Sequence, residues 1–279
     1  MKKKVITGLT LALVALSLAA CGQNTENTDT NSTENTAAEN TTDVNQDSAD
    51  TEEGIAEFSK LPQLDGVQKG DTIATLHTNK GDIKVWFFPE YAPKAVENFT
   101  THAKNGYYDG LTFHRVIKDF VIQGGDPEGT GIGGESIWGT DFENEVSLDL
   151  RSFNGALCMA NSGPDTNSSQ FYIVQNNDGE TAKSTLESAD KSGVFGPMGI
   201  TYEGKDGKEL TVGDVFPQEV IDAYGELGGT PTLDLGYTIF GQVYEGMDVV
   251  EAITDVETDS SNDKPLEDII IESIEVGTY

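Results

Sequence analysis

One arginine and one glutamine stand in an otherwise largely apolar stretch, residues 113–126. Arg115 comes near its start, and Gln123 comes just before Gly124-Gly125, where the chain is expected to turn sharply. A fixed cation beside buried apolar surface costs free energy unless it is paired or partly hydrated. Apolar walls with one directed donor suit a neutral substrate whose carbonyl group must be polarised. This stretch is therefore the first candidate for a functional site.

Residue types and spacing disfavour other kinds of site. Gly129 to Gly134 matches the G-x-G-x-x-G pattern, but the helix that a dinucleotide site requires is not predicted after it. Cys158 lies in an apolar run and is predicted to be a buried free thiol rather than a nucleophile. His114 is predicted to be a satisfied structural histidine facing away from Arg115, because strand neighbours point to opposite faces. Three scattered histidines and one free cysteine predict no transition-metal site, and acidic loops without EF-hand spacing are expected to be solvated.

Short apolar runs separated by turn signals predict a mainly β fold. A hairpin signal at Asn79-Lys80-Gly81 joins the first two strands, and a helix is predicted from Pro93 to the stop signal at Asn105-Gly106. Eight strands and two helices favour a closed β-barrel over a parallel α/β sheet, because helices do not alternate with strands. The predicted strands are 73–77, 82–88, 113–117, 120–123, 156–159, 171–174, 238–243 and 269–276, and the second helix is near 247–253.

The first 57 residues are predicted to lie outside the folded domain, residues 58–279. Lys2-Lys3-Lys4 and an apolar run ending in Leu18-Ala19-Ala20-Cys21 are typical of a bacterial lipoprotein signal, residues 1–20, with lipid placed on Cys21. An uncleaved N-terminal anchor is the alternative. Residues 21–57 are rich in Asn, Thr, Asp, Glu and Ser and predict a disordered acidic tether. Either reading places the domain outside the cytoplasmic membrane.

The charge balance narrows the range of partners. The chain has 48 acidic and 17 basic residues, a formal net charge of −31, and residues 22–53 contain no Lys or Arg. Nucleic acid and anionic lipid are disfavoured, because their phosphates would be repelled. Solubility on a crowded anionic surface is the main interpretation, and attraction of basic client chains is the lesser one. Nothing in the sequence indicates more than a monomer.

Several separate motifs together resemble the signature of the cyclophilin family, over residues 71–176 and 232–279. The resemblance implies an eight-stranded antiparallel barrel capped by two α-helices, and peptidyl-prolyl cis-trans isomerase activity without metal or cofactor. The motifs are Phe113-His114-Arg115, Phe120, Gln123-Gly124-Gly125-Asp126, Gly133-Gly134, Met159-Ala160-Asn161-Ser162-Gly163-Pro164, Thr166-Asn167, Ser169-Gln170-Phe171, Phe240-Gly241-Gln242-Val243 and Gly246-Met247.

The resemblance also implies roles for single residues. Arg115 would be the catalytic arginine and Gln123 a second polar contact, since an arginine is always charged and has several directed donors. Asn161 would anchor a substrate carbonyl, and Tyr237 stands where the family often has a histidine. Ser162 and Tyr172 each add a hydroxyl near the site. The proline pocket would be formed by Phe120, Val121, Tyr172 and Leu233, and the substrate backbone would be contacted by Ala160, Asn161, Ser162 and Gln170.

An insertion of about fifty residues, 177–231, stands where the family has a short connection before its seventh strand. Long insertions beside a site are often functional, so it either lines or lids the cleft or is a packed ornament.

Two functions stay open. The first is an isomerase that assists the folding of exported proteins at the outer face of the cytoplasmic membrane, with proline-containing peptides and unfolded exported proteins as partners. The alternative is a proline-segment-binding chaperone module with little turnover; an adhesin or solute-binding lipoprotein would fit the anchor and tether alone.

Thr232 stands where the family often has a tryptophan that supports binding of the drug cyclosporin. We therefore expect cyclosporin to inhibit this chain weakly, while catalysis persists because Arg115, Phe120 and Gln123 are intact. Titrating the drug into a proline-isomerisation assay measures this, and tight inhibition would contradict the expectation.

Overall fold

A computed structural model describes residues 54–279, which belong to one compact unit. The predicted signal peptide (1–20), the lipidation residue Cys21 and the predicted tether up to residue 53 lie outside the described residues. Within residues 54–279, no helix is both long and apolar enough to cross a membrane. Ile55 already forms a bridge to Gly204, so packing begins before the predicted domain boundary at residue 58.

In the described part of the chain, eight strands form one antiparallel sheet, and two short strands form a separate ribbon. The order across the large sheet is β10-β1-β2-β7-β5-β6-β4-β3, and the ribbon pairs β8 with β9. In chain order the strands are β1 (Thr72–Thr78), β2 (Gly81–Phe87), β3 (Arg115–Ile117), β4 (Val121–Gly124), β5 (Ala156–Met159), β6 (Phe171–Val174), β7 (Ile239–Glu245), β8 (Thr258–Asp259), β9 (Lys264–Pro265) and β10 (Ile271–Thr278).

The large sheet curls into a half-barrel, so the prediction of a closed barrel is wrong at one seam. β3 and β10 are the two ends of the strand order and do not pair with each other. Next to β3 the chain at Asp263 approaches instead, and its carbonyl accepts a hydrogen bond from the Val116 N–H at 2.9 Å. Only the residues before β3 reach β10, where the Gly110 N–H donates to the Ile271 carbonyl at 2.8 Å. The edge of β3 is thus occupied before β10 can close the ladder.

Within residues 54–279, five α-helices accompany the strands. α1 begins at Pro93, whose missing N–H costs nothing in the first turn, and the chain leaves the helix at Asn105, as predicted. α1 and α5 are the two helices expected with the barrel, and Phe99 of α1 is fully buried in the barrel core. The other three lie in the insertion. The helices are α1 (Pro93–Lys104), α2 (Gly179–Ser188), α3 (Val212–Val215), α4 (Gln218–Leu227) and α5 (Met247–Thr254).

The sheet is buried on both of its faces around the site. Strand residues alternate in direction, so Phe171 and Ile173 of β6 enter the barrel core, while Tyr172 and Val174 enter a second apolar cluster on the outer face. We call this second group the outer-face cluster. Its buried members are Trp86, Phe88, Val121, Leu150, Ala156, Cys158, Tyr172, Val174, Leu233 and Ile239.

The insertion has an apolar core of its own, which we call the insertion core. Side chains of α2, α4 and the loop before α4 meet Leu61 and Phe153 there. The insertion closes on itself at its base, where the Gly229 N–H donates to the Asn176 carbonyl at 2.7 Å. Gly229 has φ +121°, and a Cβ there would collide with the backbone of Ser152 and Phe153. Among the described side chains, none from residues 177–231 belongs to the outer-face cluster.

Candidate active site

Arg115 and Gln123 lie directly opposite each other on the paired strands β3 and β4. Residues opposite each other in an antiparallel pair share a face, so both side chains project from the outer face of the sheet. The Arg115 Nη1 lies 3.4 Å from the Gln123 Oε1, and the Arg115 Nε lies 3.6 Å from the Asp263 Oδ2. The Arg115 side chain is 22% exposed. The guanidinium is therefore mostly covered, and a carboxylate stands beside it on the Nε edge.

A chain of side-chain amides extends from the arginine. Gln123 Nε2 donates to Gln170 Oε1 at 2.9 Å, and Gln170 Nε2 donates to the Gly133 carbonyl at 2.8 Å. Each of the two side-chain amides has its oxygen toward Arg115 and its NH₂ group toward Gly133. Arg115 can only donate, so the orientation of both amides follows from the arginine at one end and the carbonyl at the other.

The loop that carries Gly133 is organised by Asp126, which is 1% exposed. Its Oδ2 accepts hydrogen bonds from the N–H groups of Gly131 at 2.6 Å and Gly133 at 3.3 Å. Burial alone would raise the pKa of Asp126, but the backbone N–H donors, which include those of Glu128 and Thr130, outweigh it and lower the pKa. Asp126 is thus an ionised hub that fixes where the Gly133 carbonyl points.

The residues assigned to the proline pocket by resemblance lie together in the outer-face cluster. Val121, Tyr172 and Leu233 are buried members, and Phe120, Ala160 and Tyr237 are partly buried and pack against them. The Tyr172 and Tyr237 rings are perpendicular, with centroids 5.4 Å apart. Burial raises the pKa of Tyr237, while the Arg115 charge acts on the same hydroxyl and lowers it. Gln123, which lies opposite Arg115, is itself opposite Tyr172 on β6, so Arg115 projects from the same face of the sheet as Tyr172.

The side chain of Asn161 is held next to the residue that precedes Tyr237. Its Nδ2 lies 3.3 Å from the Asn144 Oδ1 and 3.2 Å from the Gly236 carbonyl. Asn144 in turn donates to the same Gly236 carbonyl at 3.3 Å. The side chain of Asn161 is committed to these partners, which ties the segment before Tyr237 to the loop that carries Asn161.

Three further predictions concern the thiol of Cys158, the hydroxyls of Ser162 and Tyr172, and the imidazole of His114. Cys158 is a buried free cysteine, and burial raises its pKa, so the thiol stays protonated at neutral pH. The Tyr172 hydroxyl is buried and has no hydrogen-bond partner within the described chain, whereas the Ser162 side chain is exposed. His114 is buried beside Gly131, and burial lowers its pKa, but neither ring nitrogen has a hydrogen-bond partner within the described chain. The description of it as a satisfied histidine is wrong.

Within residues 54–279, no group of three or more His, Cys, Asp or Glu side chains is arranged to hold a metal ion. The candidate site consists of one arginine, a chain of amides and an apolar pocket. Such a set can orient and polarise an amide carbonyl next to an apolar ring, and it contains no poised nucleophile.

The chain from residue 73 to residue 276 matches the family model described as cyclophilin type peptidyl-prolyl cis-trans isomerase/CLD. The chain belongs to the cyclophilin family. A relative from Staphylococcus aureus (strain COL), named "Putative peptidyl-prolyl cis-trans isomerase", is 50% identical over 220 residues, which are 78% of this chain and 99% of the relative. A Staphylococcus epidermidis protein of the same name is 47% identical over 220 residues, with the same coverage.

Solved cyclophilins share the fold. A Cryptosporidium parvum cyclophilin type peptidyl-prolyl cis-trans isomerase superimposes with a TM-score of 0.54 at 30% identity, covering 75% of this chain and 99% of the other. A second structure of that protein, in the presence of the dipeptide Ala-Pro, gives a TM-score of 0.53 at 30% identity, covering 74% of this chain and 99% of the other. This chain is accordingly a cyclophilin-type isomerase with a mainly β fold.

Sequence reasoning missed the residues that support the site. Asp126 stood inside a recognised motif, and an aspartate followed by closely spaced glycines is a turn signal that could have identified it as a loop organiser. Asp263 and Asn144 had no such signal. Asp263 lies far along the chain from Arg115, in a left-handed conformation with φ 59°, and only the fold brings the two together.

Replacing Asp126 by Asn should destabilise the domain by about 2 kcal/mol, because buried backbone donors lose a charged acceptor. The loss should be accompanied by a lower kcat/KM, since the Gly133 carbonyl is no longer held toward Gln170. The folded-state pKa lies below the usual carboxyl value of about 3.9, so this contribution in the wild type should be present above that pH and lost on further acidification.

Urea unfolding and a peptide isomerisation assay measure both effects. Glu128→Gln is the matched control, because Glu128 lies on the same loop with an exposed side chain. An Asp126→Asn protein with the stability of the control would show that the carboxylate does not organise the loop.

Proposed function

We propose that this cyclophilin catalyses proline isomerisation through Arg115, with Phe120, Val121, Tyr172 and Leu233 of the outer-face cluster forming the proline pocket. The observation that carries the proposal is the mostly covered guanidinium, which contacts Gln123 and lies on the same face of the sheet as Tyr172. The Ala-Pro dipeptide named with the Cryptosporidium structure supports proline-containing peptides as the substrate class.

Proline isomerisation requires no covalent catalysis by the protein. Rotation about a peptide bond has a barrier of about 18–20 kcal/mol, because it breaks the resonance of the amide. No bond to a heavy atom forms or breaks, so neither a nucleophile nor a general base is required. A catalyst needs to bind the twisted amide better than either planar form. Arg115 supplies a permanent charge and several N–H donors for the polar groups of the twisted state, and it has no proton to lose.

The other residues divide the remaining tasks. Phe120, Val121 and Leu233 provide apolar contact for the proline ring, with Tyr172 and Tyr237 completing the wall and Ala160 beside them. Gln123 and Gln170 hold the polar side of the pocket in one orientation. The backbone at Asn161 is placed to anchor a substrate carbonyl, and Ser162 lies at the exposed rim. Because the donors are oriented before substrate arrives, little reorganisation is needed in the twisted state.

Replacing Arg115 by Ala should lower kcat/KM for a proline tetrapeptide by about 10²–10³-fold, the usual effect of removing an oriented donor to a transition state. Lys118→Ala is the control, since it removes a neighbouring cation whose ion pair with Asp255 is exposed. A cis-to-trans assay measures turnover, and peptide titration measures binding. Full activity in Arg115→Ala would remove the arginine from the mechanism. A wild-type protein that binds the peptide without accelerating exchange would favour the chaperone alternative.

We also propose that the domain works outside the cytoplasmic membrane, anchored by lipid on Cys21, on exported proteins that are still folding. The sequence supports this through Lys2-Lys3-Lys4, the apolar run and Leu18-Ala19-Ala20-Cys21. Uncatalysed exchange at proline takes about 10–100 s, slow enough to limit the folding of a newly exported chain.

Cys21→Ala should move the protein from the membrane fraction of a producing bacterium to the culture medium, because the lipid attachment point is lost. Cys158→Ala, which changes only the buried thiol, should leave the protein in the membrane fraction. Fractionation and immunoblotting measure both. Membrane retention of Cys21→Ala would contradict lipid anchoring and favour an uncleaved anchor.

Purified wild type, but not Arg115→Ala, should accelerate the slow refolding phase of an exported protein that is limited by a proline bond.

A further inference from the structure

The segment Leu233 to Tyr237, which follows the insertion, belongs to two parts of the molecule at once. Leu233 and Tyr237 are in the outer-face cluster, where the proline pocket is proposed. Asp234 and Leu235 point the other way and are buried, with exposures of 0% and 2%. The carbonyl of Gly236, between them and Tyr237, is the one held by Asn144 and Asn161. We call residues 233–237 the pocket segment.

The buried carboxylate of Asp234 contacts the insertion through Tyr224 and contacts the rest of the domain through Arg151 and Ser152. The Tyr224 hydroxyl, on α4, lies 2.8 and 2.9 Å from the two carboxylate oxygens of Asp234. The Ser152 N–H donates to the same carboxylate at 2.8 Å, and the buried Arg151 Nη1 lies 3.6 Å away. A buried carboxylate with this many partners has no freedom to move independently of them.

Leu235 is also held in place by the insertion, and its backbone has an unusual conformation. Its φ is +60°, a conformation that side chains larger than that of glycine rarely adopt. Such residues persist where the surrounding structure fixes them. The Leu235 side chain lies in the insertion core, and its carbonyl accepts a hydrogen bond from the Tyr202 hydroxyl. The Asn144 side chain donates to the carbonyl of the next residue, Gly236, at 3.3 Å. Tyr202 thus contacts the pocket segment one residue before the carbonyl that Asn144 and Asn161 hold.

We propose that the insertion is a positioning element for the proline pocket, acting through Tyr202 and Tyr224 on the pocket segment. The insertion supplies no wall of the pocket itself. It holds Asp234 and Leu235 so that Leu233 and Tyr237 face the substrate and the Gly236 carbonyl meets Asn161. This inference rests on the proposed site and names what keeps its wall in place, a role that neither a lid nor a packed ornament would have.

The test uses Tyr202→Phe, which removes one hydroxyl and keeps the ring. A purely structural role would lower the melting temperature and leave peptide binding by the folded protein unchanged. The positioning role predicts that KM for a proline tetrapeptide rises about threefold to tenfold, the change expected for one lost hydrogen bond, with kcat within about twofold of the wild type. Tyr91→Phe is the matched control, since it keeps the ring that packs against the outer-face cluster and removes only a hydroxyl, which lies 3.5 Å from Asp149 and makes no hydrogen bond to the pocket segment.

A second variant makes the outcome independent of Tyr202. Leu235→Gly keeps the left-handed backbone without strain but removes the side chain from the insertion core, so its KM should rise as well. A double-mutant cycle adds a readout that loss of stability does not imitate. The Tyr202→Phe effect should shrink in a Leu233→Ala background, because the wall being positioned is already gone, and should persist in full in an Arg115→Lys background.

Wild-type KM in both Tyr202→Phe and Leu235→Gly overturns the inference, and so does an equal rise in Tyr91→Phe. If Arg115→Ala is inactive in the same experiment, the proposed isomerase site survives that failure. If Arg115→Ala is fully active, the site is misplaced and the inference falls with it. KM changes confined to Tyr202→Phe and Leu235→Gly, with the predicted pattern in the two backgrounds, establish the positioning role.

Discussion

The register of the β3–β4 pair is the constraint on which the site depends. It sets Arg115 opposite Gln123 on the outer face and leaves Val116 and Ile122 facing the barrel core. Because side chains alternate along a strand, a slip of one residue would carry the guanidinium into the apolar core and bring Val116 outward. An unpaired cation in such a core would cost several kcal/mol, so the register that buries Val116 is also the one that places Arg115.

The outer position of Arg115 removes only part of the free-energy cost of placing a charge beside apolar side chains. Arg115 is mostly covered and lies next to apolar side chains, yet it retains some exposure, a carboxylate at Asp263 and an amide oxygen at Gln123. Those partners contact Nε and Nη1 of the guanidinium and leave the charge in place. The amide chain to Gly133 and the ionised Asp126 behind it extend the same order into the neighbouring loop. The result is a polar line, held at both ends, along one border of an apolar pocket.

The other border of the pocket depends on a different part of the chain. The barrel alone does not account for the conformation of the pocket segment, whose residues alternate between the outer-face cluster and the insertion core. A left-handed leucine and a buried aspartate would be costly in a free loop. They are stable here because the insertion provides the apolar surroundings and the hydrogen-bond partners. The extra residues and the site are therefore one cooperative structure, even though the insertion core is separate from the barrel core.

Much of this molecule could be predicted from local sequence. The hairpin at Asn79-Lys80-Gly81, the start of α1 at Pro93 and its end at Asn105 follow from turn and capping preferences that act over a few residues. The family motifs likewise predicted which side chains would gather around Arg115, and the fold, as described, does bring most of them together. Such features depend on the alternation of strands and on neighbours close in sequence.

What the sequence by itself determined was the eight strands of the large sheet with α1 and α5, the outward placement of Arg115 with Gln123, and membership of the cyclophilin family. Only the tertiary structure decided that the half-barrel stays open where Asp263 meets β3, that Asp263 stands beside Arg115, and that Tyr202 bonds to Leu235. These contacts join residues far apart in the chain, and neither residue type nor spacing specifies such partners. They form because the folded core leaves those groups side by side, where each buried donor or charge must find a partner.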